Sequence, residues 1–140
     1  MLYLIGLGLG NEQDITLKGL NAIKKSDEVF YENYTSISNA KEGLEKLTGK
    51  IIKSAPRDLV ENDSQKILDL AKNKTVSFLV IGDVFGATTH TDLFLRAKAE
   101  KIDVKIINNA SILNVIGNTG LELYRFGQTT SIVFDDNNWL

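Results

Sequence analysis

The sequence predicts an α/β fold, a mostly parallel sheet with helices on both faces. Three observations carry that prediction. A mainly apolar run at Val76 to Ile81 has the length and character of a fully buried strand, and Leu2 to Ile5 and Val104 to Ile107 are short strand candidates. A turn rich in Gly, Asn or Asp follows each run, and apolar residues at helical spacing follow the turn. No internal repeat, low-complexity tract or Pro/Gly/Ser linker interrupts this alternation. The 140 residues, 43% hydrophobic and 24% charged, fit one globular domain rather than two.

The elements follow in order. After the first strand come Gly6, Gly8 and Gly10, and then a helix carried by Ile15, Leu17, Leu20, Ala22 and Ile23. Asp14 is placed to cap the N-terminus of that helix, and Lys24 and Lys25 to sit at its C-terminal end, where positive charge is favoured. Val29 to Tyr31 reads as a second short strand, followed by a polar loop through Asn33, Tyr34, Thr35 and Ser36. Asn39 to Leu47 reads as a helix closed near Gly49, and Lys50 to Lys53 as a brief strand. Pro56 stands near the start of a helix whose buried face is Leu59, Ile67, Leu68, Leu70 and Ala71, ending near Asn73. Beyond the strand at Val76 to Ile81, a helix begins near Thr89 with Leu93, Phe94, Leu95, Ala97 and Ala99. After the strand at Val104 to Ile107, Asn108 to Ser111 turn into a helix containing Ile112, Leu113, Val115 and Ile116. Leu121 to Phe126 fits a helix end or a strand, and Thr129 to Phe134 alternates like a strand.

Composition narrows the function. A net charge of −2, with Lys and Glu mixed along the chain, recommends neither nucleic acid nor an anionic membrane as the main partner. With no cysteine there is no disulfide, thiolate nucleophile or cysteine metal site, and a single histidine excludes His-rich metal centres. No metal is therefore expected. The apolar start MLYLIGLGLG lacks a basic flank and is followed at once by Glu12 and Asp14, so the reading is a cytoplasmic protein without a membrane span.

In a parallel sheet, turns from strand to helix gather at the carboxyl edge, where ligands bind. Three such turns are Gly6 to Gly10, Gly82 to Thr89, and Asn108 to Ile112. The first is spaced GxGxG rather than GxGxxG, so its glycines serve either a ligand or a sharp turn and close packing. No GxxxxGK[ST] occurs, which excludes a P-loop. In GDVFGATTHTD, Gly82 and Gly86 would let backbone approach a ligand, while Asp83 would accept hydrogen bonds from a ligand or cap structure. The threonines Thr88, Thr89 and Thr91 offer hydroxyls, one of them a helix cap. His90 has no nucleophile beside it in sequence, so a structural or hydrogen-bonding role is preferred to proton transfer. Ser111 has no visible base, which favours Ser111 and Ile112 as ligand-facing groups. This inventory suits a reaction whose reactive group is already activated by its cofactor, such as methyl transfer from a sulfonium. It permits that chemistry without selecting it over nucleotide binding.

Seven segments then carry a resemblance over essentially the whole chain. They are MLYLIGLGLG with DITLKGL, ENYTSI at Glu32 to Ile37, GDVFGATTHTDL at Gly82 to Leu93, NNASILNVIG at Asn108 to Gly117, GLELYRFG, and TTSIVF. Together they resemble the diphthine synthase (diphthine methyltransferase) family of the tetrapyrrole-methylase-like superfamily. The resemblance implies the N-terminal domain of the tetrapyrrole methylase fold and a methyltransferase of diphthamide biosynthesis. It implies S-adenosyl-L-methionine as cofactor and S-adenosyl-L-homocysteine as product. It also implies translation elongation factor 2 as protein substrate, methylated at its modified histidine, and a homodimer. Carried over by position, the cofactor residues are Leu9, Asp83, Gly86, Ser111 and Ile112, with Gly82 and the threonines of ATTH shaping the same cleft; His90 receives no acid-base role and no catalytic residue is assigned. Val84 stands where the family has proline, which would leave that loop freer at φ. The family also has a second α/β domain after Phe134, absent from these 140 residues. Its absence is expected to weaken cofactor binding, and it opens an alternative in which the chain is a non-catalytic cofactor- or protein-binding module.

Overall fold

The computed structural model describes residues 1–36, 38–86 and 89–130. Five strands form one parallel sheet: β1 (Leu2–Gly6), β2 (Glu28–Glu32), β3 (Lys53–Ala55), β4 (Val76–Val80) and β5 (Val104–Ile107), in the order β3-β2-β4-β1-β5. Among the described residues six α-helices accompany them: α1 (Leu17–Lys25), α2 (Ala40–Thr48), α3 (Arg57–Glu61), α4 (Gln65–Asn73), α5 (Thr89–Ala99) and α6 (Ile112–Val115).

The sheet divides the core in two because strand side chains alternate between its faces. Leu4, Phe78 and Phe30 share one face with Ile67, Leu68 and Ala71 of α4 and with Leu93 and Ala97 of α5. Ile5, Leu79, Val29 and Tyr31 share the other with Ala22 and Ile23 of α1 and Leu44 of α2. Central β4 is buried at every position, which explains why it is apolar at all positions but one. Its one polar residue, Ser77, is satisfied internally: its Oγ lies 2.7 Å from Ser26 Oγ, which itself donates to the Ala22 carbonyl.

Several local expectations are corrected. The cap of α1 is Thr16, whose Oγ1 accepts from the Gly19 N–H, whereas Asp14 ends a short 3-10 turn and accepts from the Gly10 N–H at 2.7 Å. The strand expected at Lys50 to Lys53 starts only at Lys53, because the Glu45 carboxylate takes the Ile52 N–H and holds that segment to α2. The helix expected after Pro56 is two helices. Asn62 to Ser64 separate them, with the Asn62 amide donating to Asp58 and Ser64 Oγ receiving the Arg96 guanidinium. The last helix gives way after Val115 to a 3-10 turn at Ile116–Thr119, which contains Gly117 and Asn118 and is closed by Gly120 at φ 99°. Leu123–Arg125 is another 3-10 turn. Thr129 and Thr130 are irregular, and the rest of the strand expected there lies outside the described residues.

Candidate functional site

The strand order fixes where a crevice must open. From β1 the chain crosses to β2 on one side, and from β4 it crosses past β1 to β5 on the other. The turns after β1 and β4 therefore diverge from neighbouring strands, the arrangement that leaves a crevice at the carboxyl edge of an open sheet.

Those two turns are tied together before they diverge. Gly82 N–H donates to the Gly8 carbonyl at 2.7 Å and Gly8 N–H returns to the Gly82 carbonyl at 3.2 Å. Both residues have positive φ, 85° and 75°, which L side chains rarely adopt. A Cβ on Gly6 would stand 2.6 Å from the Gly82 carbonyl oxygen, so glycine is required there by close approach. The packing alternative for the GLGLG run thus holds for Gly6 and Gly8.

The third turn is drawn in by Asp83 and Asn109. Asp83 Oδ2 accepts from the Asn109 backbone N–H at 3.0 Å and from Asn108 Nδ2 at 3.1 Å, while Oδ1 accepts from the Phe85 N–H. Asn109 Nδ2 donates to the carbonyls of Gly6 and Asp14. Asn109 therefore touches all three turns, a role that its place in a polar turn did not disclose. The Asp83 carboxylate spends three of about four lone-pair sites on the protein, so its structural role is real and one acceptor site remains.

The result is a cavity of about 900 Å³. Leu9, Asp83, Gly86, Ser111 and Ile112 all line it, so the five sequence-selected positions come together. Leu9 and Ile112 are apolar and 44% and 65% exposed, whereas Ser111 is 9% exposed and its N–H is held by Asn114 Oδ1 at 2.7 Å. Gly86 permits the crowding here, since a Cβ on it would lie 3.3 Å from the Asp83 carbonyl and 3.7 Å from Ser111 Cβ. Val84, at the position of the family's proline, is fully buried in the core beneath this wall. Thr88 lies outside the described residues.

Sequence reasoning missed a fourth wall. Thr35 and Ser36, from the turn after β2, line the cavity together with His90 of α5. The signal was available, since β2 is parallel to its neighbours and its following turn must reach the same edge. Behind this wall Glu32 is 1% exposed and accepts from the N–H groups of Tyr34 and Thr35 at 2.6 and 2.7 Å and from the Thr35 hydroxyl. His90 is 1% exposed, with Nε2 3.8 Å from Glu32 Oε2 and its ring 5.7 Å from that of Phe78. Burial pushes the His90 pKa below its ordinary value, opposed by the Glu32 charge and the Val84 backbone. Burial, then Glu32 and Glu61, pushes the Tyr34 hydroxyl up to about 12. Among the described residues, no group of three or more His, Cys, Asp or Glu side chains is placed to hold a metal ion.

Comparison with known proteins shows what the chain is similar to. The chain is 58% identical over 141 residues to a diphthine methyl ester synthase of Saccharomyces cerevisiae, covering 99% of this chain and 47% of that protein. A diphthine methyl ester synthase of Dictyostelium discoideum is 54% identical over 137 residues, covering 96% of this chain and 50% of the relative. A crystal structure of diphthine synthase superposes with a TM-score of 0.86 at 40% identity, over 90% of this chain and 51% of that one. The chain thus spans about half the length of the curated relatives it matches. Residues 1–139 match the family described as Tetrapyrrole (Corrin/Porphyrin) Methylases. With a five-stranded parallel sheet, a crevice at its switch point and that match along nearly every residue, the chain belongs to the tetrapyrrole (corrin/porphyrin) methylase family.

Proposed function

We propose that these residues form the cofactor-side domain of an S-adenosyl-L-methionine-dependent methyltransferase of diphthamide biosynthesis. Its acceptor would be the modified histidine of translation elongation factor 2, a substrate that places the protein in the cytoplasm. The observation that carries this reading is the convergence of Leu9, Asp83, Gly86, Ser111 and Ile112 on one cavity at the switch point. The relatives named as diphthine methyl ester synthases support the finer assignment.

The residues present fit such a cofactor. A cavity of about 900 Å³ is within the range of small-molecule sites, roughly 300 to 1,000 Å³. Leu9 and Ile112 would provide apolar contact for a heteroaromatic ring, and Gly86 would let backbone come close. The Asp83 carboxylate and Ser111 would meet the polar groups. When bound, the sulfonium supplies an activated methyl group with a neutral leaving group, so the chain's task is to bind, orient and exclude water. No nucleophile of the protein's own is needed.

Calorimetry with S-adenosyl-L-homocysteine tests this reading. Binding that is lost in Asp83→Ala and in Gly86→Val, with circular dichroism unchanged, is the expected result. A folded chain that takes up no ligand at millimolar concentration overturns it.

A second reading is favoured by the segment that follows the third turn. Ile112, Leu113, Leu121, Leu123, Tyr124 and Phe126 are all exposed apolar side chains on fifteen consecutive residues. They suit pairing with another protein surface, as a homodimer or as a non-catalytic binding module. Sedimentation of the isolated chain separates a self-associating form from a monomer.

A further inference from the structure

Glu32 is a carboxylate buried without a cation to balance it. Its side chain is 0% exposed at the carboxyl end of β2, and such burial is costly unless the charge is paired or fully hydrogen-bonded. Among the described residues no lysine or arginine forms a salt bridge with it. Arg57 of α3, which stacks over the Tyr34 ring at 5.1 Å, pairs with Glu61 at 3.4 Å. His90 Nε2 lies 3.8 Å away, on a ring that burial holds toward its neutral form.

What satisfies Glu32 is the turn that follows it. Oε1 accepts the Tyr34 and Thr35 N–H groups at 2.6 and 2.7 Å, and Oε2 accepts the Thr35 hydroxyl. Closing a turn does not itself require a buried charge, since exposed Asp, Asn or Ser side chains do it. The destination of this turn is what sets it apart: Thr35 and Ser36 line the cavity.

The same contacts set the hydrogen-bond sense of that wall. A threonine hydroxyl has one proton, and that of Thr35 is given to Glu32. Its oxygen keeps lone pairs, so Thr35 can meet a guest only as an acceptor. Asp83, elsewhere in the lining, also keeps one acceptor site, and among the described residues no lysine or arginine lines the cavity. Such a lining is matched to a guest that donates hydrogen bonds.

We propose that Glu32 is a positioning residue for the bound cofactor: it holds the turn after β2 against the cavity and, by taking the Thr35 proton, makes the Thr35 hydroxyl oxygen the acceptor for a donor group of that cofactor. Glu32 touches no guest and acts through Thr35. The identity of the guest rests on the methyltransferase reading. S-adenosyl-L-methionine carries suitable donors in its ammonium and ribose hydroxyl groups, and S-adenosyl-L-homocysteine keeps both.

Calorimetry with S-adenosyl-L-homocysteine compares the wild-type chain with Thr35→Ser, Thr35→Val and Glu32→Gln. Thr35→Ser keeps the oxygen and is expected to bind about as tightly as wild type. Thr35→Val keeps the shape without the oxygen and is expected to bind about tenfold more weakly. Glu32→Gln keeps the size but turns an amide toward groups that need an acceptor, and should show a loss at least as large. In ligand-free ¹H–¹⁵N spectra the Tyr34 and Thr35 amide protons should move upfield in Glu32→Gln and stay in place in Thr35→Ser. Thr35 is exposed, so the serine and valine variants decide the matter even if Glu32→Gln fails to fold. A role confined to stability would lower the melting temperature of Glu32→Gln and leave the affinity of the folded chain unchanged. That result, equal affinities for the serine and valine variants, or unmoved amide resonances in Glu32→Gln overturns the proposal while the methyltransferase reading stands. A folded wild-type chain that takes up no S-adenosyl-L-homocysteine overturns that reading, and this proposal with it.

Discussion

The Asp83 carboxylate receives the backbone N–H of Asn109 at 3.0 Å, and this contact fastens the turn after β4 to the turn after β5. A hydrogen bond to a charged acceptor contributes about 1.5 to 3 kcal/mol, and partial exposure moves this one to the low end. Asp83→Ala is expected to lose about 1 to 2 kcal/mol of stability by urea titration. The same variant should lose cofactor-analogue affinity, because Ser111 and Ile112 are carried by the turn that it releases.

Gly6 is held by space rather than by backbone angle, since the Gly82 carbonyl stands where its Cβ would go. Gly6→Ala should therefore cost about 1 to 3 kcal/mol, the range for overpacking a closed site. Gly117→Ala is the matched control, because a Cβ there meets nothing within 4 Å. Equal melting temperatures for the two variants would contradict the close approach.

How much of this was legible in the sequence depends on the range of the interaction. The strands at Leu2 and Val76 were readable because burial on both faces leaves a mainly apolar run, whereas the edge strand at Val104 keeps Lys105 exposed and was readable from its flanking turns. The convergence of three turns was readable from parallel topology alone. Asn109 was not, because its amide reaches Asp14 across 95 positions of sequence. Asp14 was misread as the cap of α1 since Thr16, two residues on, has an equally suitable oxygen and the correct phase. The fourth wall was overlooked because Glu32 looks like an ordinary strand-end charge until its burial is seen.

Burial of His90 links stability to pH. Its folded pKa lies below its unfolded value of about 6.5, so the unfolded state binds more protons and stability rises with pH. Wild-type stability should thus decline as pH falls below about 6.5, with a contribution of at most about 1.4 kcal/mol per pH unit, levelling at the folded pKa. Chemical denaturation at pH 7.5, 6.5 and 5.5 should show a shallower decline for His90→Gln, with carboxylate titrations common to both.

Lys101 ends α5 at φ 58°, the left-handed conformation that glycine adopts without penalty. The Ile102 N–H returns to the Ala97 carbonyl at 2.9 Å and locks it there. Lys101→Gly is expected to raise stability by about 0.5 to 1 kcal/mol, read as a higher urea midpoint at unchanged slope.

The insertion of β4 between β2 and β1 sets an order on the birth of the molecule. β1 is made before β2 to β5, yet both of its partners lie far along the chain at Val76–Val80 and Val104–Ile107. A nascent chain that has reached Thr75 can pair β2 with β3, but it holds Leu2, Leu4 and Ile5 without a neighbouring strand. Emergence of β4 joins the two halves in one event, as it pairs with β1 and β2 at once. The residues of β1 therefore wait, apolar and unpaired, until β4 is made, and a ribosome stalled before Val76 would leave them for chaperones to cover.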